Sequence, residues 1–324
     1  MRSSQPGPQT ADNKPKWFNS LVKYHEGSLT DIRKHIPTFE RRSFGLTQPG
    51  NEQSRLNERL DTIVRLPYSE DTTFIPVGVV SKDYVLVPHT AVLDVATKAL
   101  DGAKIAPADV KAELKITEYG ERMTLSLYLP ERYDFDPGDG HPMALRLECI
   151  NSVDGSTRFR ALMGWFRLVC SNGLIIGVTR ADMRRRHSGD LRLDDIGDVL
   201  SSGLKESVAE KKNFENWRKN PIAVNRLAQW SEEVLRKAWG FKAATRAFHI
   251  AHTGFDVEIT GLYKDNTPTT IAVCRAEPVP GAPKETRNLY DVSQILAWLA
   301  KERRDLQEQI EWREQIPGLM ASLN

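Results

Sequence analysis

Cysteine is scarce in this chain: Cys149, Cys170 and Cys274 are the three in 324 residues. An odd number at wide spacing, each in an apolar, strand-like setting, argues against a disulfide framework. They read as small buried hydrophobes of a reducing compartment. No two have the short spacing of a zinc site, and His249 with His252 lacks a nearby third ligand, so no metal is expected. Long apolar runs are missing as well. None approaches the roughly 18 residues of a membrane span, and no cationic segment leads into an apolar stretch at the N-terminus. A cytoplasmic protein without a membrane segment is expected.

Signatures of common catalysis are absent too. Neither a Walker loop nor a Gly-x-Gly-x-x-Gly turn occurs, which disfavours an ATPase or a dinucleotide enzyme, and no cofactor is expected. The stretch Asp134 to Gly140 has the composition of a calcium loop but the wrong carboxylate spacing, and its bidentate glutamate position falls on Leu145. Asp194 and Asp195 could serve a hydrolase or nuclease, yet they sit where a helix N-terminus is expected. Cys170 has no identifiable partner for nucleophilic work, so no catalytic residue is nominated. Strong net charge is also lacking: at +2 the molecule is no polycation, and an anionic partner has to be met by a local patch.

What is present is a change of pattern along the chain. Residues 1–60 are rich in Pro, Gln, Ser, Asn and Arg without a sustained apolar period and read as a flexible leader. Within it, Trp17, Phe18, Leu21 and Tyr24 would share one face of a short helix that docks on the main body or on a partner. Residues 61–324 read as a single elaborated α+β domain, with 289–324 a C-terminal helix and tail. Phe74–Val80 and Tyr84–Val87 predict a hairpin, and Val92, Leu93, Ala96 and Leu100 predict a helix capped by Thr90 and stopped at Gly102. Alternating strands follow around Leu114, Leu125, Met143–Ile150 and Thr157–Cys170, turning at Asp154-Gly155 and Asn172-Gly173. Helical periods run from Ile196 to Trp217, from Ile222 to Trp239 and on from Phe241, with Pro221 and Gly240 as breaks. Val257–Tyr263 and Thr269–Val273 form a second small pair, and Leu289 to about Gln315 a last helix. The fold expected is a mainly antiparallel sheet flanked by C-terminal helices.

Arginine is concentrated in one window. Between residues 158 and 192 there are eight arginines against two aspartates, a local excess of +6. Arg158, Arg160, Trp165, Arg167, Arg180, Arg184, Arg185 and Arg186 are therefore the candidate nucleic-acid-binding residues. Guanidinium groups match phosphate oxygens bidentately, and Trp165 or Phe166 offers a surface on which an unpaired base can stack. The competing reading makes the two aromatics core residues and Arg184–Arg186 a solvated loop. Arg158 and Arg160 share a strand face, whereas Arg167 points the other way unless Gly164 introduces a bulge.

Three blocks, Val77–Val87, Gly164–Leu174 and Leu289–Leu296, together resemble the phage- and plasmid-encoded family classed as domain of unknown function 932. The most specific part is Arg167 followed by Cys170-Ser171-Asn172-Gly173. The resemblance implies a cytoplasmic protein carried by mobile genetic elements and brings no catalytic residues with it. With the basic window, it leads to the expectation of a mobile-element protein that binds DNA non-enzymatically, in its narrower form single-stranded DNA in replication or recombination. The alternative is a protein-interaction or counter-defence factor that binds a host component through the N-terminal aromatics and the charged C-terminal helix. Assembly into an oligomer stays open.

Overall fold

The computed structural model describes residues 15–47, 54–69, 71–167, 174–185, 187, 192–260 and 271–323, with backbone alone for 47, 54 and 174–185. The stretch read as a flexible leader supplies β1 (Lys16–Trp17), β2 (Ser20–Gly27), α1 (Leu29–Arg33), β3 (Phe39–Thr47) and most of β4 (Ser54–Arg65). There follow β5 (Ile75–Ser81), α2 (His89–Gly102), β6 (Lys111–Thr117), β7 (Arg122–Tyr128), β8 (Met143–Ser152), β9 (Phe159–Arg167) and β10 (Leu174–Arg185). The remainder is α3 (Ile196–Lys219), α4 (Val224–Trp230), α5 (Arg236–Thr253), the hairpin β11 (Phe255–Thr260) and β12 (Ile271–Pro278), α6 (Leu289–Lys301) and α7 (Leu306–Leu323). The fold is α+β.

The main sheet is antiparallel, in the order β1-β2-β6-β7-β8-β9-β10, and β3-β4-β5 form a separate three-stranded sheet. Alternation divides the main sheet into two unlike faces. Leu114, Leu125, Leu147, Ala161 and Trp165 face one side and join residues of α2, α3, α5 and α6 in the large core. Gly203 of α3 lies so close to β9 that an added Cβ would come 2.8 Å from the Met163 Cβ, so a side chain there would push the helix off the sheet. Register places Lys115, Ser126, Glu148, Arg146 and Arg160 on the other face. This second face is polar and carries α7.

Several local expectations change. Tyr84–Val87 is not a strand; β5 pairs with β4, and the Val85 amide bonds instead to the His187 carbonyl. The predicted N-terminal helix is a strand pair, in which Trp17 is buried with Ile150, Leu162, Leu306 and Ile310 while Phe18, Leu21 and Tyr24 stay exposed. The last helix is two, and α7 packs on the body: Leu306, Ile310, Ile316, Leu319, Met320 and Leu323 are buried. At roughly 1.5–3 kcal/mol each as an upper estimate, those six side chains hold α7 firmly on the body. Gly240 does interrupt α5, with φ +85° and ψ 168°, so the break read from sequence survives as a kink.

Candidate nucleic-acid interface

The arginines of the basic window fall into separate environments. β9 alternates without a bulge, so Arg158 and Arg160 share the polar face and Arg167 faces the core side; the two irregularities lie on β10, between Ile176 and Val178 opposite Gly164 and between Val178 and Asp182. Arg158 is exposed. Arg160 is buried and pairs with Glu314 of α7. Arg167 is buried as well: it pairs with Asp139, and its Nη1 donates to Gln294 Oε1 at 2.9 Å. It thereby ties the 134–140 loop to α6, which is what that carboxylate-rich stretch does here. Trp165 is 0% exposed within the core, beneath the Lys211 ammonium at 5.2 Å, and presents no face to a base. Arg160, Trp165 and Arg167 thus belong to the packed interior, because α7, α6 and the 134–140 loop cover the strand positions that sequence leaves open.

The polar face holds a buried charge cluster that the sequence reading missed. Glu148 lies between Arg146, to which it pairs, and Arg313 of α7, whose Nη2 and Nη1 donate to it at 2.7 and 3.2 Å. Burial alone would raise the Glu148 carboxyl; Arg146 and Arg313 outweigh it and hold the group down at about 2. Burial pulls Lys115 below its ordinary range, against the pull of Glu113. Glu148 joins Arg146 of the sheet to Arg313 of the helix, and the pairing clamps α7 to the sheet.

Exposed cations gather at the end of the main sheet where β9 begins. Register sets Arg185 opposite Phe159 and Arg184 opposite Arg160, so the end of β10 runs beside Arg158. Arg186 and the side chains of Arg180, Arg184 and Arg185 lie outside the described residues. The chain after β5 adjoins the same end: Val85 N donates to His187 O at 3.1 Å, the Tyr84 ring stacks on His187 at 5.0 Å, and Tyr84 OH donates to Ser152 O at 2.9 Å. Lys82 N donates to Arg59 O at 3.1 Å, while the Arg41 guanidinium donates to the Lys82 and Tyr84 carbonyls. Arg59, Lys82 and Arg158 are exposed here, on three different segments. The acidic neighbours are partly spent: Asp154 accepts from Arg122 at 2.8 Å, and Asp61 faces Arg41 at 3.6 Å. Glu58 and Asp83 remain as exposed negative charges.

The antiparallel sheet with helices on both faces defines an α+β protein of elaborate topology. A family model described as a domain of unknown function (DUF932) matches residues 76–272, and the chain belongs to that family. Among curated proteins it is similar to the UPF0380 proteins YfjQ and YafZ of Escherichia coli (strain K12), at 38% and 37% identity over 65 residues. Those matches cover 20% of this chain and 24% of each relative, so the shared segment spans about a quarter of their length. No solved structure matches. No described helix is long and apolar enough to cross a membrane.

Proposed function

We propose that this is a non-enzymatic DNA-binding protein of a mobile genetic element, taking hold of phosphates at the basic end of its main sheet. The observation that carries the reading is the set of backbone contacts that brings the segments bearing exposed Arg59, Lys82 and Arg158 to the end of β10. Exposed cations on neighbouring backbone segments can meet a phosphate backbone, at the entropic cost of ordering their side chains in the complex. The family resemblance supplies the mobile-element context. Trp165 has no part in the interface, and Arg160 and Arg167 act only by holding the scaffold.

Fluorescence anisotropy with labelled single-stranded and duplex DNA across a salt series tests this. Joint replacement of Arg59, Lys82 and Arg158 by Ala should weaken binding and flatten the salt dependence, by about 0.9 in log–log slope for each duplex phosphate that is no longer neutralised. Replacing Arg184, Arg185 and Arg186 by Ala should act in the same direction. Unchanged affinity and slope in both variants would sink the placement, and no binding by the wild type at low salt would sink the function.

One observation favours a second reading. Phe18, Leu21 and Tyr24 are 46%, 39% and 48% exposed on the β1–β2 hairpin, with Leu21 and Tyr24 on opposite faces of β2, and this exposed apolar surface is available to a protein partner. A nuclease-resistant complex lost in the F18A/L21A variant would favour it; nuclease-sensitive recovery would count against it.

A further inference from the structure

We propose that Cys274 and His249 form a reactive thiol–imidazole pair that exchanges with low-molecular-weight disulfides, leaving Cys274 as a surface mixed disulfide. The pair arises from the way α5 turns into the small hairpin. Gly254, with φ +73°, caps α5 in the left-handed conformation and reverses the chain into β11. β12 then returns antiparallel with Cys274 opposite Val257, which brings its thiol back to the last turns of the helix. The Cys274 Sγ lies 3.3 Å from the His249 Nε2, and Cys274 is exposed. It is therefore no buried hydrophobe, as its apolar sequence neighbours suggest.

A second thiol gives an internal contrast. Cys149 is 0% exposed on the core side of β8, and burial, reinforced by Glu148, pushes its thiol up to about 12. Thiolate is the attacking species in disulfide exchange, and access limits the rate, so Cys149 is inert in the folded chain. Among the described charges near Cys274, two arginines are engaged by carboxylates, while Glu258 of the facing strand is exposed. Arg246 Nε donates to Asp256 at 2.9 Å, and Arg275 lies 2.7 Å from Glu302 and 3.6 Å from Asp256. His249 is thus the neighbouring group placed to take the thiol proton.

The exchange balances without a further reagent. The Sγ–H proton passes to Nε2, and the sulfur attacks one sulfur of a disulfide RS–SR. The S–S bond breaks as the new Sγ–S bond forms. The leaving RS⁻ takes the proton back from the imidazolium and departs as RSH. Cys274 is oxidised, and half of the disulfide is reduced.

The full chain, incubated with oxidised glutathione across a pH series and mapped by peptide mass spectrometry, provides the test. Cys274 should gain a glutathionyl group while Cys149 stays free. H249Q keeps a polar side chain beside the thiol but no base; it should slow the reaction roughly tenfold and remove one inflection from the pH–rate profile. H249A should regain part of the rate with added free imidazole. A wild-type Cys274 that reacts no faster than in the urea-unfolded chain would overturn the inference. So would H249Q and H249A chains that react at the wild-type rate with an unchanged profile. DNA affinity plays no part in these measurements, so their outcome is separate from that of the function proposed above.

Discussion

Glu148→Gln offers the sharpest test of the charge cluster beneath α7. The amide keeps the shape of the side chain but removes the charge that holds Arg146 and Arg313 together, leaving two guanidinium groups on a buried face beside Lys115. Breaking a buried ion pair by removing one partner costs about 3–5 kcal/mol. The depressed carboxyl leads to a similar figure: a drop from an ordinary 4.5 to about 2 corresponds to roughly 3 kcal/mol. Urea unfolding at neutral pH should therefore show a loss of about 3 kcal/mol or more, with a melting temperature lower by about 4–7 °C. The sign with pH follows from the same group. Its contribution is present above the unfolded carboxyl range and fades as the pH falls from about 4.5 toward 2, so the wild-type advantage over E148Q should shrink across that window. An R146M/E148L/R313M variant, which replaces the cluster by apolar side chains, should lie much closer to the wild type. A loss below about 1 kcal/mol in E148Q, or a triple variant as unstable as E148Q, would refute the reasoning.

Two further outcomes concern residues buried on the other side of the sheet. His89 is 0% exposed, with Nε2 2.9 Å from the Gly120 carbonyl and Nδ1 2.9 Å from the Asn151 amide nitrogen, and burial lowers its pKa to about 4. The unfolded chain takes up this proton near about pH 6.5, so stability should fall as pH drops from there toward 4, by roughly 3 kcal/mol in all. Paired urea titrations of wild type and H89F should show that slope in the wild type alone; equal slopes would count against it. Trp165→Ala should cost about 3–5 kcal/mol in urea unfolding, as expected for a large core aromatic. It should leave DNA affinity of the still-folded chain unchanged, whereas a selective loss of single-strand binding would restore Trp165 to the interface.

Sequence pattern located the centre of the fold well. The Asp154-Gly155 turn joins β8 to β9 and Gly240 marks a real discontinuity, because both depend on local backbone preferences; α2 does end at Gly102, but it begins at His89 after Pro88, so Thr90 is no cap. The β1–β4 region escaped notice since much of β3 and β4 is exposed on both faces and shows no alternation. The tyrosine-to-valine run at 84–87 looks like a strand by composition, but its partner is the chain near His187, 102 positions away for the Val85–His187 contact. Arginine roles were least legible. Nothing local tells Arg158, open to water, from Arg160, closed by a glutamate 154 positions further on. Likewise the Cys274–His249 pair depends on a helix cap and a hairpin return rather than on a motif.

The anchoring of β1 carries a consequence for the birth of the chain. Phe18 N donates to Asp305 across 287 positions, and Trp17 packs against Leu306 and Ile310. At about 5–20 residues per second, a ribosome needs roughly 15–60 s to deliver that partner after Phe18 emerges. Through that interval Trp17 has no permanent seat, and the charged side of the sheet awaits its covering helix. The nascent protein must therefore wait for its last helix before either is sealed, so a translational pause late in the message would prolong the state in which a holdase can capture it.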